Sequence, residues 1–188
     1  MIPTLECGRV YHIFNRGNNR ENLFREERNY DYFLKLYLQY IEPVAVTYAY
    51  CLMPNHFHSL VKIKDPDQKG LSPRQQYSNF FNSYAKSINK AYGRTGALFQ
   101  RPFGRIEVTS DAYYTQLVYY IHLNPQKHGF KSDFRIYPYS SFHILLSNDP
   151  TFLDRTEVMS WFGGREEFIE AHSKAATGLA TRAFIGDD

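Results

Sequence analysis

Cysteine is scarce: Cys7 and Cys51 are the only two among 188 residues. Two thiols cannot build a disulfide scaffold or a thiolate metal cluster. A reduced, cytoplasmic protein is expected. Long apolar runs are missing too. None approaches the roughly 20 residues that cross a bilayer as a helix, so no membrane association is expected. The opening MIPTLECGRVYHIF carries an early Glu and no long apolar core behind a basic start. It does not read as a signal peptide. Charge of one sign is also lacking: the net charge is +3 and the pI about 8.7. That is a mild lean toward an anionic partner. Internal repeats and low-complexity linkers are absent. The length suits one domain with a sizeable core, expected over residues 1–145, and a C-terminal tail over 146–188.

Aromatic residues are what the chain has in quantity: sixteen Tyr and fifteen Phe against a single Trp. Such residues fill a β-rich core. Interleaved with Arg and Asn, they also suit stacking on unpaired bases.

The pattern along the chain alternates strands and helices. RVYHIF, 9–14, reads as a strand, and NRGNNREN as the loop that follows it. Tyr30, Phe33, Leu34, Tyr37, Leu38 and Ile41 recur at helical spacing, and Pro43 ends that helix. VAVTYAYCLM, 44–53, and HFHSLVKI, 56–63, read as strands joined tightly at Pro54-Asn55, a hairpin. Ser72-Pro73 is an N-cap and first helical position for a helix running to about Tyr92. FGRIEV, 103–108, is a fourth strand. Ser110 or Asp111 caps a further helix, halted near Pro125. The order β-α-β-β-α-β matches a ferredoxin-like α+β fold, an antiparallel sheet with helices on one face. The tail holds one or two short helices and a weakly patterned end.

The stretch MPNHFHSLVKI separates two histidines by one phenylalanine. On a strand, His56 and His58 share a face and Phe57 takes the other. This is a metal pair or a polar strand face beside a buried ring. A catalytic metal needs at least a third ligand and an open position. On the helix YYTQLVYYIHLNP, Tyr120 and Asn124 are four apart and so lie on one face. They offer a phenol and an amide carbonyl. Tyr119 is an equally nucleophilic rival, but helical rotation turns it about 100° away. Asn124 alternatively ends the helix before Pro125. His122 points to another helix face and is not assigned as a base.

PNHFH resembles the His-hydrophobic-His motif of the single-tyrosine HUH transposases. FNRGNNRENLF upstream and YIHLNPQKHG downstream are similar to segments of one branch, the REP-associated tyrosine transposases. The resemblance covers roughly residues 8–145, with three motifs in the expected order. It implies a divalent cation, Mg or Mn, held by His56 and His58, with Asn124 matching the third polar ligand. It implies Tyr120 as nucleophile on a scissile phosphate of single-stranded DNA, forming a 5′-phosphotyrosine link and a free 3′-hydroxyl. A hairpin-containing substrate, and a monomer or homodimer, are implied in the same way. The resemblance also favours a nucleic-acid role for the NRGNNR loop: Arg16 and Arg20 on phosphates, Asn18 and Asn19 on base edges. The plain alternative is a connecting loop in which Gly17 supplies a positive φ. Arg101 and Arg105, beside the fourth strand, suit phosphates. Lys86, Lys90 and Arg94 read as a solvated face.

Two rivals share the fold or the metal. One is a non-catalytic single-stranded nucleic-acid binder or domesticated regulator, though no RGFAFV-like aromatic run is present. The other is a metallohydrolase that uses water. SWFGGREEF in the tail, with Trp161 as anchor, either reaches over the active site or caps the body.

Overall fold

The structure, a computed structural model, describes residues 3–66 and 70–179. Its frame is a four-stranded antiparallel sheet of order β2-β3-β1-β4, with β1 Val10–Arg16, β2 Ala45–Met53, β3 His56–Ile63 and β4 Gly104–Val108. Between them run α1, Glu27–Tyr40, and α2, Pro73–Ala91. This is the expected ferredoxin-like order. The Ser72 hydroxyl accepts from Gln75 N at 3.4 Å, with Pro73 at the first helical position. The cap read from the sequence therefore forms.

Helices cover both faces of the sheet, not one. Phe57 of β3 packs against Phe33 of α1 and Phe81 of α2, with centroids 5.1 and 6.0 Å apart. The opposite face of β3 meets α3, Asp111–Lys127: the His58 ring lies 5.8 Å from Tyr120. Burial on both sides explains why β2 reads as a nearly unbroken apolar run rather than a clean alternation.

α3 also runs past the expected stop at Pro125. Its end is a Schellman turn. Gly129 takes φ +71°, Phe130 N donates to Pro125 O at 2.8 Å, and Gly129 N donates to Gln126 O at 3.1 Å. The glycine, not the proline, ends the helix.

α4, Phe142–Leu146, leads into the tail, which forms α5, Arg155–Phe162, and α6, Arg165–Lys174, with a π-turn over Ala175–Leu179. The tail docks where β2 bulges between Thr47 and Ala49. Asp154 N donates to Thr47 O at 3.0 Å. Trp161 packs on Tyr48 and Tyr114 at 4.6 and 4.8 Å. Bulges interrupt the ladder and free backbone groups for other partners, and the tail uses that gap. Trp161 thus caps the body. The end from residue 180 onward lies outside the described residues.

Candidate active site

Alternation along β3 turns His56 and His58 toward α3, and both are buried. Their ring centroids stand 5.3 Å apart at 87°. Diagonal pairing across β1 and β3 adds His12, whose Nε2 lies 2.9 Å from His58 Nδ1. In one arrangement His58 Nδ1–H donates to His12, which leaves a lone pair on His58 Nε2. The reverse puts a hydrogen on His58 Nε2, which is buried with no hydrogen-bond partner among the described residues. Only the first leaves His58 Nε2 a lone pair that a cation could take. His12 thereby fixes the orientation of the His58 ring. Histidines that hold metals have their other nitrogen fixed in this way.

His12 and His58 are held neutral. Burial lowers the His12 pKa to about 3. Burial first, then the charges of His12, His56, His128 and Lys127, push His58 well below its usual value. Neutral imidazole is the metal-binding form. His56 Nδ1 is hydrogen-bonded to Asn55 Oδ1 at 2.6 Å. As a donor there, it leaves the Nε2 lone pair for a ligand role.

From α3, Tyr120 presents its ring edge-on to His58, at 81°, and to His12, at 6.1 Å and 87°. Lys127 Nζ lies 5.2 Å from the Tyr120 ring centroid. One turn on, Asn124 Nδ2 donates to Tyr120 O at 3.0 Å. Asn124 Oδ1 is buried with no hydrogen-bond partner among the described residues. Two orphaned acceptor positions, His58 Nε2 and Asn124 Oδ1, are what a cation would satisfy, so the residues fit one. Among the described residues, no group of three or more His, Cys, Asp or Glu is placed to hold a metal ion.

Tyr119 turns elsewhere, with its ring 6.2 Å from His172 of α6. His122 is also turned away. Its Nδ1 meets His172 Nε2 at 2.8 Å and its Nε2 meets Ser141 Oγ at 2.7 Å, so both nitrogens are engaged.

The expected DNA contacts divide between two regions. Arg16 pairs in register with His56, at the mouth of the site. Asn18, Asn19 and Arg20 follow in the loop, with Asn19 and Arg20 exposed. Gly17 does not supply the positive φ: its φ is −60°, and Asn19 and Arg20 take +54° and +61°. Glycine is required at 17 for space, because a Cβ there would lie 1.9 Å from Glu21 O. Arg94 is not merely solvated. It donates from Nε to Glu21 Oε2 at 2.9 Å and braces this loop. Arg105 pairs with Ile13 on β4, so its side chain takes the α2 face, opposite the histidines. Arg101 lies near it, with Nη2 3.4 Å from Asn82 Oδ1.

Reading by sequence missed His12, Lys127 and His128, whose ring is 4.8 Å from His56. The last two stand inside YIHLNPQKHG. His12 had only strand alternation as a signal.

Known proteins were compared with the chain in sequence and in structure. A curated protein of Haemophilus influenzae, provisionally named a REP-associated tyrosine transposase, is 29% identical over 104 residues. The match spans 52% of this chain and 58% of that protein. A solved structure described as a REP-associated tyrosine transposase bound to a REP hairpin superposes with a TM-score of 0.61 at 19% identity. It covers 79% of this chain and 85% of its own. No family model matches. The resemblance carried by the three motifs therefore extends to a sequence match over about half of the chain and to the fold. Among the described residues, no helix is long and apolar enough to cross a membrane.

Proposed function

We propose that this chain cuts and rejoins single-stranded DNA at hairpin-containing sites, as a transposase or nickase that uses Tyr120 as nucleophile. One observation carries the reading. Tyr120 stands edge-on to His58 on a buried face where His58 Nε2 and Asn124 Oδ1 both lack partners among the described residues. The hairpin comes from the neighbour that binds one.

The Tyr120 phenol oxygen attacks the scissile phosphorus. The P–O3′ bond breaks, the 3′-oxygen leaves and takes up a proton, and the tyrosine proton is lost. The 5′-phosphate is then joined to Tyr120. In the reverse step a 3′-hydroxyl attacks that phosphorus, its proton is lost, and the phenol is restored. One phosphoester replaces another, so no nucleotide triphosphate is consumed.

His56, His58 and Asn124 would hold the divalent cation, Mg or Mn. It would supply positive charge at the non-bridging phosphate oxygens and at the leaving oxygen. Two imidazoles and an amide leave that charge undiminished, and imidazole suits Mn better than Mg. His12 keeps His58 in the ligating tautomer. Lys127 and Arg16 draw the phosphate in.

The test is incubation with labelled single-stranded hairpins and Mn or Mg, read on a denaturing gel. A metal-dependent protein–DNA adduct is expected. Cleavage without an adduct would favour a water-using hydrolase. Binding without cleavage would favour a non-catalytic binder.

A further inference from the structure

A run of buried hydrogen bonds behind α3 has no place in the chemistry described above. Tyr50 N of β2 donates to Ser141 Oγ at 2.9 Å, and Ser141 Oγ lies 2.7 Å from His122 Nε2. His122 Nδ1 lies 2.8 Å from His172 Nε2, and His172 Nδ1 lies 2.7 Å from Phe168 O. Ser141, His122 and His172 are fully buried.

A single arrangement of protons fits this run. A backbone amide can only donate, and a backbone carbonyl can only accept. Burial keeps both imidazoles neutral: it lowers the pKa of His172 to about 4 and that of His122 well below its usual value. A neutral imidazole has one donor and one acceptor nitrogen. His172 Nδ1–H donates to Phe168 O, so its Nε2 accepts from His122 Nδ1–H. His122 Nε2 then accepts from the Ser141 hydroxyl. Every donor meets an acceptor, and the chain runs one way from β2 through α3 into α6. Its walls are aromatic, with Phe142 5.8 Å from His122 and Phe168 4.1 Å from His172, centroid to centroid. Rings of this kind offer no replacement partner, so a break leaves buried polar atoms unpaired.

Position ties the chain to the reaction. His122 is two residues from both Tyr120 and Asn124, about 200° round the helix from each. Tyr120 and Asn124 take the face of the candidate site, and His122 stands behind them on the same turn. The backbone ladder of α3 is weakest at this turn. Pro125 lies inside the helix and has no N–H to give to Ile121 O. Helices bend where a proline removes that bond. The hydrogen bonds of His122 fasten the turn from behind.

We propose that His122 and His172 are positioning residues: docking of α6 through this chain sets the rotation of α3 at which Tyr120 meets His58 and Asn124 shares its face. The proposal rests on the use of Tyr120 as nucleophile. The tail then serves the reaction from a distance, as well as capping the body.

The test compares two variants of the full chain. His172→Phe keeps a ring and removes the acceptor, and His172→Gln keeps an acceptor oxygen. Two quantities are read: equilibrium affinity for a labelled single-stranded hairpin, and the single-turnover rate of Tyr120 adduct formation with hairpin and Mn saturating. Circular dichroism checks that each variant is folded at the assay temperature. Small misplacements of reacting groups slow reactions steeply. His172→Phe is therefore expected to form adduct about 10- to 100-fold more slowly with hairpin affinity kept, and His172→Gln to recover most of the rate. An unchanged or faster rate in folded His172→Phe, or equal slowing in both variants, overturns the proposal. Should His172→Phe not fold, Ser141→Ala cuts the chain at its other end. The same slowing at kept affinity is expected there, and an unchanged rate overturns the proposal. Nitrogen-15 spectra of histidine-labelled wild type add a readout that needs no variant to fold. His122 and His172 are both expected as the Nδ1–H tautomer, and an Nε2–H tautomer at either overturns the chain. Should wild type form the Tyr120 adduct and the folded variants match its rate, the positioning proposal alone fails. Should wild type form no adduct on Tyr120, the nicking reading fails and the positioning proposal with it.

Discussion

His12 Nε2 lies 2.9 Å from His58 Nδ1, on the buried face that also holds Tyr120. Partners of this kind typically contribute 10- to 100-fold, on the order of magnitude, to metal affinity. His12→Phe keeps the ring volume and removes the acceptor. Mn binding followed by electron paramagnetic resonance should weaken by about that factor, with the fold retained. Unchanged Mn affinity would show that His12 does not orient a ligand.

Asn124 separates stability from function. Its Oδ1 is buried without a hydrogen-bond partner among the described residues. Asn124→Leu removes that orphan at similar volume and gives up only the Nδ2 bond to Tyr120 O. Urea unfolding should place the variant within about 1 kcal/mol of wild type, while adduct formation is lost. A large loss of stability would mean that Asn124 is structural.

Gly17→Ala should be costly although the glycine's φ is ordinary. The added Cβ would meet the Glu21 carbonyl, forcing the 17–21 loop away from Leu98, whose carbonyl accepts from Asn18 N. Overpacking of this sort costs about 1–3 kcal/mol. Chemical denaturation checks the stability. Proteolysis at the loop should quicken, and an unchanged rate would contradict the close approach.

Acid should loosen the tail. His172 of α6 is buried against His122, and burial lowers its pKa to about 4. The unfolded chain binds this proton from about pH 6.5 downward, while the folded chain resists until about 4. The contribution of neutral His172 is therefore full above pH 6.5 and is lost as pH falls toward 4, about 3 kcal/mol in all. His172→Gln should flatten the pH dependence of thermal unfolding across that window. Parallel profiles for the two proteins would count against the buried pair.

Local signals in the sequence reached far. Ser72-Pro73 marked a helix start, and the His-Phe-His alternation separated a core ring from two site histidines. The four-residue step from Tyr120 to Asn124 put both on one helix face. What stayed hidden depends on distant pairing or on space. His12 joins His58 only through the register of β1 on β3, which no local pattern encodes. The end of α3 was sought at Pro125, whereas Gly129 supplies the turn. Gly17 looked like a conformational glycine and is a steric one. α3 was not foreseen on the second face because runs buried on both sides lose their alternation. The face that Arg105 takes was likewise hidden, because the register of β4 on β1 decides it.

The most direct measurement identifies which tyrosine carries DNA. Tyr119 and Tyr120 are adjacent, but Tyr120 faces His58 and Tyr119 faces His172. Adduct formed with Mn and a single-stranded hairpin would be digested with trypsin and nuclease, and the modified residue read by tandem mass spectrometry. Phosphonucleotide on Tyr120, with adduct abolished in Tyr120→Phe and kept in Tyr119→Phe, is the expected result. Modification of another residue, or cleavage that persists in Tyr120→Phe, would contradict the assignment of Tyr120 as nucleophile.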